Sequence, residues 1–156
     1  MDLIELRIGN YVGFKNRDDI DYCVLQEIST GGVHILRYFK NGEVDDQPEL
    51  KEDITPIKLN EEILFRLGFG EFPLLRGLAD HGIYGRFSSF ERIIYQSEYN
   101  RKSISVTLCN DKGQGEYYVF FKDDDNVVTL TRNLMYVHQL QNLYFSLKGE
   151  ELKYDT

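Results

Sequence analysis

The chain has 156 residues, 42% of them apolar and 13% aromatic. That composition excludes a disordered chain, which could not bury enough apolar surface to offset its ordering entropy. It has room for one compact domain or two small subdomains, burying roughly 70% of the unfolded surface. The formal charge of −8 argues against a general nucleic-acid surface, which needs a basic face to displace counterions. Residues 1–65 carry 14 acids and 7 Lys/Arg, net −7; residues 66–102 carry 4 acids and 6 Lys/Arg, net +2; residues 103–156 carry 8 acids and 5 Lys/Arg, net −3. Only the middle third favours an anionic ligand.

Tyr (11) and Phe (10) dominate the aromatic content and point to a sheet-rich protein. Cys23 and Cys109 are the only cysteines and fall in β-type runs far apart, which reads as two buried thiols rather than a disulfide or metal site. The N-terminus lacks a basic region followed by a long apolar run, and no stretch is apolar for long enough to span a bilayer. A soluble, cytoplasmic protein is the expectation.

In chain order, "LRIGNYVGF" places a Gly9-Asn10 turn between two short β-type runs. Residues 22–29 and 33–39 read as strands joined by Thr30-Gly31-Gly32, a hairpin signal, and Asn41-Gly42 offers a second tight turn. Residues 43–53, acidic and carrying Pro48, read as an exposed loop. This first third has the pattern of a small SH3-like barrel. Asn60 is a good N-cap for a helix over 60–67, with Glu61 and Glu62 in the first turn, a Leu59/Leu64 staple and Gly68 as its stop.

Residues 69–90 are aperiodic and rich in glycine. β-type runs follow at 90–98, 103–109, 116–122 and 126–131, an antiparallel meander. The chain closes with "YVHQLQNLYFSLKGEEL" (136–152), read as a helix over about 133–147 ended by Gly149. Its apolar residues cover an arc of about 200° at 100° per residue, which suits a helix packed on the second-half sheet. Gln141 falls inside that arc and needs a buried partner. Gln139, Asn142 and Ser146 lie opposite, with His138 at the edge.

No catalytic constellation emerges. His138 has no nucleophile motif to serve and reads as a hydrogen-bonded structural residue. The three histidines show no metal-ligand spacing, and Asp123–Asn126 reads as a solvated turn, so no metal or cofactor is expected. One stretch has the composition of a ligand site: Arg76, His81, Tyr84, Arg86, Arg92, Tyr95 and Arg101, between glycines. Guanidinium planes and aromatic rings can stack a base and clamp a phosphate. The blander reading is a loop followed by an aromatic-rich strand with arginine on its wet face.

Three stretches, "LRIGNYV" (6–12), "ITPIKLNEEILFRLGF" (54–69) and "YVHQLQNLYFSLKGEEL" (136–152), resemble "LRIGNWV", "PIPLTEEWLLKFGF" and "YVHQLQNLYFALTGEEL" of a family of short proteins from Bacteroidetes genomes, prophages and phages. Asn60 stands where that family has threonine, and its tryptophan is absent. The resemblance implies a mobile-element setting and life in a host cytoplasm; it carries no activity, catalytic residue or cofactor.

The expectation is thus an α+β protein, with a β-rich subdomain over 1–57 and an α+β subdomain over 58–156. Its first functional reading is a non-enzymatic phage or prophage accessory protein that binds a host factor or defence component. The alternatives are a small-ligand binder for a nucleotide signal using 76–102, and an acidic nucleic-acid mimic using 43–53. A homo-oligomer is compatible with the aromatic strands.

Overall fold

The computed structural model describes residues 5–30, 32–49, 53–71, 87–96, 103–111, 116–123 and 126–155. The chain divides into two compact units, residues 1–58 with 136–152 and residues 59–135 with 153–156. Among the described residues each carries an antiparallel five-stranded sheet and one helix, which makes the protein α+β as expected.

In the first unit, β1 (Tyr11–Phe14), β2 (Ile20–Ile28), β3 (Val33–Phe39), β4 (Val44–Glu49) and β5 (Ile54–Thr55) pair in the order β4-β3-β2-β1-β5. Period-2 alternation builds its core: Val12 lies opposite Cys23, and Leu25 opposite Ile35. All four are fully buried, packed with Leu6, Ile20, Val33 and Ile54. The expected hairpin joins β2 to β3, Ser29 N–H donating to Gly32 C=O at 3.0 Å. Gly42, at φ +88°, makes the turn into β4.

Residues 43–53 correct the expectation of a loop. Their first half is a regular strand, with Asp45 opposite Arg37 and Pro48 opposite His34. Proline has no N–H to give, so it is tolerated only where one flank of the strand is unpaired, and β4 is the sheet edge. The acids that looked like loop composition sit on side chains of β3: Asp45 pairs with Arg37 at 2.7 Å, and Asp46 lies 3.2 Å from a ring nitrogen of His34.

In the second unit, β6 (Gly70–Glu71), β7 (Phe87–Gln96), β8 (Ser103–Asp111), β9 (Tyr117–Lys122) and β10 (Val127–Leu134) form the expected meander, in the order β10-β9-β8-β7-β6. Helix α1 (Glu61–Arg66) starts as its sequence dictates: Asn60 Oδ1 accepts Ile63 N–H at 2.8 Å, and Glu61 and Glu62 occupy the first turn. Leu59 and Leu64 are both buried, and Gly68 turns the chain at φ +73°.

Helix α2 (Val137–Lys148) starts later than expected. β10 continues to Leu134, which pairs with Tyr117, and Asn133 sits at φ +66° just before the strand ends. The helix also groups with the first unit, whereas its apolar arc pointed to the second sheet. The reason lies in its polar residues, whose hydrogen bonds run to residues 5–11. Gly149 closes it at φ +74°, its N–H reaching Phe145 C=O at 2.7 Å.

A Cβ at position 149 would meet no atom within 4 Å, so only the left-handed backbone opposes a side chain there. Gly149→Ala is therefore expected to lower unfolding free energy by about 1 kcal/mol in urea titration.

Candidate functional site

Most of the arginine/aromatic stretch lies outside the described residues: Arg76, His81, Tyr84, Arg86 and Arg101 do, as does the side chain of Tyr95, whose backbone pairs with Ile104 in β7. Arg92 is described, and its task is structural. Its Nη1 donates to Leu67 C=O just past α1, and it stands 3.8 Å from the Asp155 carboxylate. A cation there complements the negative end of the helix dipole. Arg66 lies over the Tyr154 ring at 4.2 Å, and Asp155 N–H donates to Arg66 C=O at 2.6 Å, so the tail finishes the same helix end.

Gln141 has the buried partners its position demands. Its Oε1 accepts Tyr11 N–H at 2.7 Å, and its Nε2 donates to Leu152 C=O at 3.0 Å and Gly9 C=O at 3.4 Å. Beside it lies a network that sequence reasoning missed. Arg7 grips Glu151 through both carboxylate oxygens at 2.8 and 3.0 Å, and its Nε reaches Asn142 Oδ1 at 3.2 Å. Asn10, fully buried, donates to the same oxygen at 3.0 Å. Asn142 Nδ2 gives its hydrogen bond to Glu5 C=O at 2.7 Å. Arg7 also stacks on Phe145 at 3.9 Å. More than 130 residues separate these partners, and no local pattern could have joined them.

Gly9 is required at the centre of this network. It takes φ +89° in the Arg7–Asn10 turn, and a Cβ would come within 3.3 Å of Glu151. His138 is buried rather than at an edge, stacked on Tyr136 at 5.7 Å, with Nε2 3.5 Å from Glu5 and Nδ1 without a partner. Burial holds its pKa below the ordinary imidazole range, partly offset by Glu5. Both cysteines are buried thiols, and burial pushes the Cys109 thiol up to about 12, which makes it inert.

The side of the first sheet away from its core carries a row of aromatic rings. Tyr22 and Tyr38 are direct cross-strand partners, stacked at 4.6 Å with planes 9° apart. Tyr11 leans on Tyr22 at 4.9 Å. Val44, opposite Tyr38 on β4 and 52% exposed, extends the row to the sheet edge. Val24, Leu36 and Asp46 flank it through the next register pairs. Such a row can hold a planar or cationic group by stacking, and the unit around it is acidic, with 14 acids against 8 Lys/Arg.

Among the described residues no cluster of His, Cys, Asp and Glu is placed to hold a metal ion, and no helix is long and apolar enough to cross a membrane. No family model, no curated protein and no solved structure matches the chain.

Gln141→Leu would strand Tyr11 N–H and Leu152 C=O in the interior, and is expected to cost about 3 kcal/mol of stability by chemical denaturation. His138 supplies a pH test. Its folded-state pKa lies below the unfolded one, so below about 6.5 the unfolded chain takes up the proton first. Stability attributable to it is complete above that range and falls as pH drops through it. Thermal midpoints measured from about pH 7 to about pH 5 should therefore fall more steeply in the native protein than in His138→Phe.

Proposed function

We propose that the protein acts by binding another protein, through the Tyr22–Tyr38–Val44 face of its first sheet, with the buried Tyr11 ring backing Tyr22. The observation that carries this reading is the stacked Tyr22/Tyr38 pair on a sheet side that is not its core, in an acidic unit. Tyrosine supplies large contact area with little conformational freedom to lose, and is enriched where proteins meet. Acidic surroundings select a basic segment, and an arginine plane stacks on tyrosine better than any other charged group. A phage or prophage accessory protein directed at a host factor fits this chemistry, and the resemblance in residues 6–12, 54–69 and 136–152 supports that setting.

The nucleotide reading is weaker, because Arg92 serves α1. The nucleic-acid-mimic reading is weaker too, because Asp45 and Asp46 are engaged by Arg37 and His34 within the sheet.

Calorimetry with arginine-bearing and glutamate-bearing peptides of equal length tests the proposal. The arginine peptides should bind and the glutamate peptides should not. Tyr38→Ala should weaken binding about tenfold, with Tyr38→Phe close to the native protein. Equal binding of both peptide classes, or an undiminished Tyr38→Ala, would count against it.

A further inference from the structure

The first sheet ends on β4, and the two flanks of that strand differ. Phe39 N–H donates to Glu43 C=O at 3.0 Å, one pair before Tyr38 meets Val44. Facing pairs of an antiparallel ladder alternate between hydrogen-bonded and not. Tyr38–Val44, Leu36–Asp46 and His34–Pro48 are therefore the pairs without mutual bonds. Pro48 agrees independently, since its nitrogen has no hydrogen to give β3. Val44 and Asp46 thus turn N–H and C=O away from the sheet, and Pro48 turns its C=O. Among the described residues no strand pairs with that flank.

The side chains of these residues share the tyrosine side of the sheet, because Val44 lies opposite Tyr38 and Tyr38 opposite Tyr22. Val44 is 52% exposed, the Asp46 side chain 58%, and Pro48 is exposed too. A strand laid on β4 continues the tyrosine row with its residue opposite Val44. Its residue opposite Asp46 meets a carboxylate. His34 approaches Oδ1 of that carboxylate, which leaves Oδ2 for a cation from outside. Pro48 offers no donor, so full pairing is confined to Val44 and Asp46.

An open edge invites pairing, and charge decides with what. A second copy of the chain is opposed. Two β4 strands related by a two-fold axis at Val44, Asp45 or Asp46 set Glu43 against Asp45, Asp45 against Asp45, or Asp46 against Asp46. Like charges directly opposite destabilise a ladder. A basic segment meets no such opposition. We infer that the basic partner is held as an added antiparallel strand on β4, hydrogen-bonded to Val44 and Asp46, with arginine or lysine opposite Asp46 and an apolar residue opposite Val44. Along the partner chain that reads basic, any residue, apolar. The inference rests on the tyrosine-face reading and adds the backbone as the source of affinity, alternate side chains supplying specificity.

Calorimetry on the full chain tests it with the acetylated, amidated peptide Thr-Arg-Thr-Val-Thr-Arg-Thr-Val-Thr and two N-methylated forms. Methyl groups on the arginine and valine amides remove the hydrogens that face β4; methyl groups on the threonine amides leave them in place. The first form should bind about tenfold or more weaker than the parent peptide, and the second within about twofold of it. Amide hydrogen exchange at Val44 and Asp46 should slow on binding. Two forms that bind alike overturn the added strand, and Tyr38→Ala then still reports on the tyrosine face by itself. A difference between the forms that persists while Tyr38→Ala changes nothing keeps the strand and removes the tyrosine face. No binding of the parent peptide up to about 1 mM overturns both. A dimer in sedimentation that the peptide dissolves makes a second copy the occupant and overturns the assignment.

Discussion

The first unit depends on one buried amide. The turn at residues 7–10 leaves Tyr11 N–H and Gly9 C=O facing α2, and Gln141 answers both with the acceptor and donor a neighbouring strand would offer. The same amide reaches Leu152 C=O beyond the helix stop, so it ties the start of the chain, the helix and the segment after it. A buried amide is tolerated only when each of its groups is satisfied, and then it admits one geometry. The Arg7–Glu151 pair and the Asn10–Asn142 bond repeat the tie nearer the surface. Several partners acting on one turn fix the approach of α2 more tightly than apolar packing alone, which tolerates sliding.

This tie has a topological consequence. Residues 59–135, most of the second unit, lie between the two halves of the first, and the second unit's last residues, 153–156, follow them. Strands β1 to β5 can pair through short connections, but Gln141 must come from 130 residues away. Contacts of such separation carry a large loop-closure cost and form late unless intervening structure shortens the path. Within the second unit, the meander over β7 to β10 forms instead through successive antiparallel pairs of short sequence separation. The helix end at Leu67–Gly68 shows the same economy, Arg92 from β7 and Asp155 from the tail converging on it.

Local chemistry was legible in the sequence wherever a residue acts on its near neighbours. Asn60, Gly42, Gly68 and Gly149 do as their types dictate, and the meander follows from alternation. Misreadings arose where two physical situations share a composition. An acidic run with proline describes a loop, but it equally describes an edge strand whose acids meet cations of the next strand. Asn142 looked solvent-facing because helical periodicity measures only hydrophobicity, and a polar residue aimed at another polar residue leaves the same trace. Ser105 and Thr107 alternate with Ile104, Val106 and Leu108 as a wet face would, yet both are buried. Alternation reveals that two faces differ; it does not reveal what covers them.

The two units differ in how far their buried polar groups satisfy one another. In the first unit, Gln141, Asn142, Asn10 and Arg7 satisfy one another, and their positions follow from the need to hold a turn against a helix. The stretches 6–12 and 136–152 are the two halves of that contact. The second sheet lacks that closure: its Thr107 hydroxyl is buried without a hydrogen-bond partner, a cost that the strand pairing around it does not remove.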